Sequence, residues 1–158
     1  MTTLLLVLRF FNLFAAALSA GGMAMVSLVV NPVKWEFAAP LYAKVHDQVY
    51  RKAFYMKLCG PTAGLTALLL LILGHDLLPM PAFVLYIAGL VGTFTITLTS
   101  WLHLIPVNRK VARWTEETIP ANWTEVQHKW NVVYNIRTGA SVWALTCFLL
   151  AVLLSFNT

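Results

Sequence analysis

The charged residues of this chain leave four wide gaps. Uncharged runs of 24, 18, 32 and 21 residues lie between Arg9 and Lys34, between Lys57 and Asp76, between Asp76 and Arg109, and after Arg137. A helix rises ~1.5 Å per residue, so about 20 apolar residues cross the ~30 Å hydrocarbon layer of a bilayer. Backbone in lipid must close its hydrogen bonds within a helix or a sealed barrel. Barrel strands alternate apolar and polar residues, whereas "TALLLLIL" and "ALTCFLLAVLLSF" are apolar on every side. The chain therefore reads as all-α: an integral membrane four-helix bundle, one domain over residues 1–158, with spans at 4–30, 55–74, 82–104 and 137–156. Composition agrees, with 11% charged residues against ~25% in soluble domains. The first span is read as retained, because "MTT" lacks a basic n-region and the apolar run passes "AGG" to Val30. Gly21 and Gly22 are expected at close helix contacts, and Arg9 is expected to snorkel to its own interface.

Sidedness follows from the basic residues. Four spans place the 1–2 and 3–4 connections on one side, and both termini with the 2–3 turn on the other. The first side holds Lys34, Lys44, Arg51, Lys52, Lys57, Arg109, Lys110, Arg113, Lys129 and Arg137, and the second only Arg9. That asymmetry predicts both termini outside the cytoplasm. The net charge of +5 then describes a face apposed to anionic lipid. No nucleic-acid partner is implied, since no binding motif accompanies the charge. The expected partners are the lipid bilayer and a hydrophobic small molecule, and association into a homo-oligomer stays open.

Spans 1 and 3 are expected to stop at Asn31–Pro32 and Ile105–Pro106, since proline disfavours the helical state of the residue before it. Helices 2 and 4 have no such breaker. The first is expected to run unbroken from Leu41 past Cys59, and the second to start after Pro120 with Asn122 or Thr124 at its cap. Both should extend beyond the bilayer on the cytoplasmic side, where the bundle opens into a polar vestibule.

Its candidate lining comes from spacing. On helix 4, His128, Asn131 and Asn135 share one face, and Trp130, Tyr134 and Arg137 form a second stripe. On helix 3, Thr95, Thr99 and His103 are spaced by four. On helix 2, His46 and Tyr50 lie one turn apart. Blander roles compete: an interfacial belt for Trp114 and Trp123, back-bonding for Thr95 and Thr99, loop chemistry for His75–Asp76, and snorkelling for Arg137. A histidine such as His103, after a long uncharged stretch, is a functional candidate. His46, His103 and His128 could converge as metal ligands for copper, iron or zinc, or two of them could ligate haem. No local ligand spacing supports that, so the expectation is no cofactor, with copper, iron or haem as the alternative. Cys59 and Cys147 sit too far apart along the chain's spans to imply a redox pair.

"IPVNRKVARW" followed by "WNVVYNIRT" (Trp130 to Thr138) resembles the anthrone-oxygenase-like family of small four-span membrane proteins. Its pattern falls on Pro106, Asn108, Trp114, Trp130, Asn135 and Arg137, whereas "VNPVKW" at the end of span 1 is a poorer match. The resemblance implies oxidation of anthrones to anthraquinones by molecular oxygen without a bound cofactor. On that basis His46 or His103 is expected as base, with Asn108, Asn135 and Arg137 holding an oxyanion. Tyr50, Trp130, Asn131 and Tyr134 are expected to bind a flat substrate. The expected function is thus a membrane oxidoreductase or oxygenase acting on a hydrophobic ring compound. A structural or accessory subunit, whose polar cluster merely locks helices, and a histidine-ligated metal or haem protein are the alternatives.

Overall fold

A computed structural model describes residues 3–156, the side chains of residues 54–56 excepted. Four helices long and apolar enough to cross a bilayer cover Thr3–Trp35, Ala39–Leu73, Met80–Val111 and Trp123–Leu154. At 32 to 35 residues each is ~50 Å long, so all four carry turns beyond ~30 Å of hydrocarbon. Their outward faces carry exposed large side chains such as Leu65, Val91, Phe94 and Leu153. Lipid is the solvent that suits them. Among the described residues there is no strand.

In finer detail the first span is α1 (Thr3–Met25), a π-helical segment (Val26–Val30) and α2 (Asn31–Trp35). The second is α3 (Ala39–Lys52) and α4 (Phe54–Leu73). The third is α5 (Met80–Thr99), a second π segment (Ser100–Leu104) and α6 (Ile105–Val111), and the fourth is α7 (Trp123–Leu154). Around the bundle, α1 packs on α4, α4 on α5, α5 on α7 and α7 on α1. This is an up-down-up-down ring. Of the two cap candidates, Asn122 occupies the N-cap position of α7, and its side chain makes no capping hydrogen bond.

The two prolines do not stop their helices, contrary to expectation. A proline lacks the N–H for the bond to the carbonyl four residues back, and its ring crowds that carbonyl. Here the preceding turn widens. The Asn31 N–H bonds the Val26 carbonyl and the Ile105 N–H bonds the Ser100 carbonyl, each five residues back. The helix thereby passes through the proline for further turns. Such π turns often mark functional sites.

Helix 2, expected unbroken, bends at Ala53, whose ψ of 19° leaves the helical range. The reason is tertiary: α3 packs on α6, while α4 packs on α1, and one straight rod does not serve both.

Gly21 does not sit at a close helix contact. A Cβ on Gly21 would meet nothing within 4 Å, whereas one on Gly92 would lie 2.7 Å from the Ala140 carbonyl oxygen. A Cβ on Gly89 would lie 2.3 Å from the Phe148 ring. Gly89 and Gly92, one turn apart, are where α5 and α7 approach.

Arg9 does not snorkel. It is buried, its guanidinium 5.7 Å from the Phe156 ring and in electrostatic contact with Tyr86. Beside it Asn12 donates to the Ala63 carbonyl at 2.8 Å and to Thr66 Oγ1 at 3.3 Å. These contacts tie the four spans together at the end away from Lys34 and Asn108.

Candidate functional site

Both π–proline corners deliver a polar side chain at the same offset. Lys34 lies two residues after Pro32, and Asn108 two residues after Pro106. Both are buried, at 3% exposure each. Between them comes His46 from α3, 2% exposed, with Tyr42 one turn before it and their rings 5.4 Å apart. From α7 comes Trp130, its ring edge-on to His46 at 4.9 Å and stacked on Tyr134 at 4.7 Å.

The hydrogen bonds among these four fix their proton positions. Trp130 Nε1 can only donate, and it lies 2.9 Å from Asn108 Oδ1, which is thereby identified as the carbonyl oxygen. The same oxygen lies 2.8 Å from His46 Nε2, so that nitrogen carries a proton. On a neutral ring Nδ1 then has a lone pair, and Lys34 Nζ faces it at 3.4 Å. A doubly protonated ring would set N–H against ammonium. The chain therefore runs from the Lys34 ammonium to a neutral imidazole to an amide oxygen that also holds an indole. Lys34 lies over the Trp130 ring at 4.4 Å and the Tyr42 ring at 5.5 Å. Among the described residues the ion pairs are Arg51–Asp47 and His75–Asp76, so the ammonium has no carboxylate. Burying such a charge is costly. Two π faces and one lone pair offset only part of that cost.

All four line one cavity of about 200 Å³ between the π segments, α4 and α7. Met23, Val26, Ile96 and Leu104 give it apolar walls, and Tyr50, Lys57, Tyr134 and Arg137 line it further. Trp101, 71% exposed, lines it from the outer surface of the third span. A flat apolar molecule with one polar edge fits this chemistry.

A family model described as anthrone oxygenase matches residues 47–147. The chain belongs to the anthrone oxygenase family. No curated protein and no solved structure matches the chain at a significant level. The segment matched to the family holds Asn108, Trp130, Tyr134 and Arg137, whereas Lys34 and His46 precede it.

Of the residues singled out by spacing or by the resemblance, His46, Tyr50, Asn108, Trp130, Tyr134 and Arg137 line the cavity together. His103 does not. It is exposed, one position back from the Ser100, Leu104 and Asn108 stripe that lines the cavity; spacing by four groups residues on a face but does not say which of two adjacent faces turns inward. His128 is exposed as well, and among the described residues no three histidine, cysteine or acidic side chains gather as a metal cluster. The expected triad of His46, His103 and His128 thus does not converge. On α7 the buried stripe is Gln127, Trp130, Asn131 and Tyr134, one position round from the expected His128 face. Asn131 is buried away from the cavity lining, and Asn135 is exposed and accepts a hydrogen bond from Ser27.

Thr95 and Thr99 bond back to the carbonyls of Val91 and Thr95, at 2.9 and 2.6 Å. Trp114 and Trp123 pack on Tyr42 and Val111 and so are more than a belt.

Lys34 is the residue that spacing missed. A basic residue closing a span reads as an interfacial anchor. The signal that would have found it is the repeat of Pro-Val-Lys (32–34) by Pro-Val-Asn (106–108).

Proposed function

We propose that this protein oxidises a hydrophobic ring ketone of the anthrone type with molecular oxygen, at the cavity walled by Lys34, His46, Asn108 and Trp130. The observation that supports it most is the buried Lys34–His46–Asn108–Trp130 chain opening on an apolar cavity in a member of this family.

The weakest link in that chain is the 3.4 Å contact between Lys34 and His46, and the 2.8 Å bond to Asn108 holds the ring from its other side. A substrate carbonyl oxygen entering the cavity displaces the weaker contact. Lys34 then donates to the carbonyl, and the freed His46 Nδ1 lone pair takes a proton from the methylene between the aromatic rings. The resulting anion is that of an aryl alcohol, with a pKa near 10, whereas burial and the Lys34 ammonium push His46 down to about 4, so the transfer is uphill by about 8 kcal/mol. A buried ammonium at the forming oxyanion contributes roughly 3–4 kcal/mol, which brings the step within reach. The electron-rich carbon then gives its electrons to oxygen and forms a C–O bond, and the imidazolium proton completes a hydroperoxide. Loss of the second C–H proton with the outer oxygen as hydroxide leaves a carbonyl, and proton and hydroxide combine. In sum, anthrone and O2 yield anthraquinone and water.

The test follows oxygen uptake and quinone absorbance with an anthrone, in membranes holding the protein against membranes lacking it. Lys34→Met and His46→Ala should each lower the rate by about 10²–10³. Wild-type rates in both variants, or no rate above the spontaneous oxidation, sink the proposal and favour an accessory subunit.

A further inference from the structure

The cavity holds more positive charge than the proposed reaction uses. Lys34, Lys57 and Arg137 line it, and no aspartate or glutamate does. Arg137 is partly exposed at the cavity wall. Its Nε is shielded from solvent and has no hydrogen-bond partner, and its guanidinium lies 5.3 Å from the Tyr134 ring centre. Tyr50 stands beside both remaining cations: Lys57 Nζ is 3.6 Å from its ring centre, and Arg137 is in electrostatic contact with it. The one aspartate on α3, Asp47, is committed to Arg51 at 2.8 Å. A guanidinium partly withdrawn from water beside the exposed Lys57 ammonium, its Nε buried without a partner, favours an anion, and ring faces return less than the hydration it gave up.

Resting on the oxygenase reading, we propose that the substrate is itself an acid: a ring ketone carrying a carboxylate at the end away from its reacting oxygen, received by Arg137 with Lys57 beside it. Lys34, tied to His46, marks the reacting oxygen. Arg137 marks the other pole. The planar guanidinium fork matches a carboxylate through two parallel N–H···O bonds, which a lysine does not reproduce. The two poles orient a flat molecule that apolar walls alone would leave free to turn.

The test reads binding without turnover. Purified protein in phosphatidylcholine nanodiscs is titrated with anthraquinone and with anthraquinone carboxylate, followed by tryptophan fluorescence. The carboxylate should bind at least about tenfold tighter. Arg137→Met should abolish that ratio while the affinity for the neutral quinone moves less than about twofold, and Arg137→Lys should keep part of it. Equal wild-type affinities overturn the proposal, as does an unchanged ratio in Arg137→Met. If neither variant folds, the wild-type ratio alone decides. Repeating the titration with phosphatidylglycerol in the nanodiscs separates the sources of anion. A ratio that vanishes there assigns the pair to a lipid headgroup and overturns the substrate assignment. Absent turnover with the ratio intact sinks the oxygenase reading alone, and turnover with a ratio near one sinks this inference alone.

Discussion

Asn108 Oδ1 carries two buried donors at once, the His46 imidazole and the Trp130 indole. That arrangement predicts an order of severity. Asn108→Ala strands both donors, each at ~1–3 kcal/mol, for a loss of roughly 2–5 kcal/mol. Trp130→Phe removes one donor and leaves the His46 bond in place, for a loss of about 1–2 kcal/mol. Thermal unfolding in detergent checks the order, and a Trp130→Phe protein less stable than Asn108→Ala would contradict it. Asn108 was legible through the family resemblance, and Trp130 through its helical stripe with Tyr134 and Arg137 as well, whereas Asn131 and Asn135, polar residues on a helix that enters lipid, do not line the cavity. Lys34 was hidden by its own ambiguity. The same residue at a span's end serves equally as an anchor, and only the turn geometry around Pro32 shows that it folds inward.

At the scale of elements, the spans were legible because lipid forces an apolar run of known length on any helix that crosses it. The faces were less so. Counting by four groups residues on a face without saying which face turns inward: Thr95, Thr99 and His103 make one stripe, and the cavity is lined by the adjacent one, Ser100, Leu104 and Asn108. His103 is accordingly exposed while Leu104 and Asn108 are buried. Close packing of elements was misplaced for a related reason: a glycine pair looks alike whether or not another helix lies against it.

The structure separates the two cases and supplies a prediction. Gly92→Ala drives a methyl to 2.7 Å from the Ala140 carbonyl, a backbone atom that cannot step aside without parting α5 from α7. It should destabilise the protein by about 1–3 kcal/mol. Gly21→Ala meets nothing within 4 Å and should be neutral or slightly stabilising. Melting temperatures of the two variants check this, and a Gly21→Ala loss as large as that of Gly92→Ala would mean that α1 has a partner on that face.

For the molecule as a whole, the side of the membrane that the cavity faces decides how a substrate reaches it. Ten basic residues lie at one end of the bundle and one at the other. Burial sharpens the contrast. Arg9, the single basic residue at the far end, is turned inward, whereas Lys44, Arg51, Lys52, Lys57, Arg109, Lys110, Arg113 and Lys129 are all exposed at the end that holds the cavity. Exposed lysine and arginine in short connections resist translocation, so the cavity end is predicted to be cytoplasmic. Cysteine labelling in intact cells tests it with a thiol reagent that does not cross membranes. Asp76→Cys, exposed in the 74–79 turn, should be labelled, and Lys110→Cys, exposed near the end of α6, should not be until the cells are opened. Cys147 is buried and gives a low background, and Cys59 is replaced by serine in both backgrounds. The reverse pattern would put Lys34 and His46 on the outer face. A hydrophobic acid of the kind inferred for this cavity would then have to leave the cytoplasm before it could be oxidised. With the predicted orientation it reaches Trp101 from the inner leaflet, and the neighbouring exposed cations attract its carboxylate to that surface first.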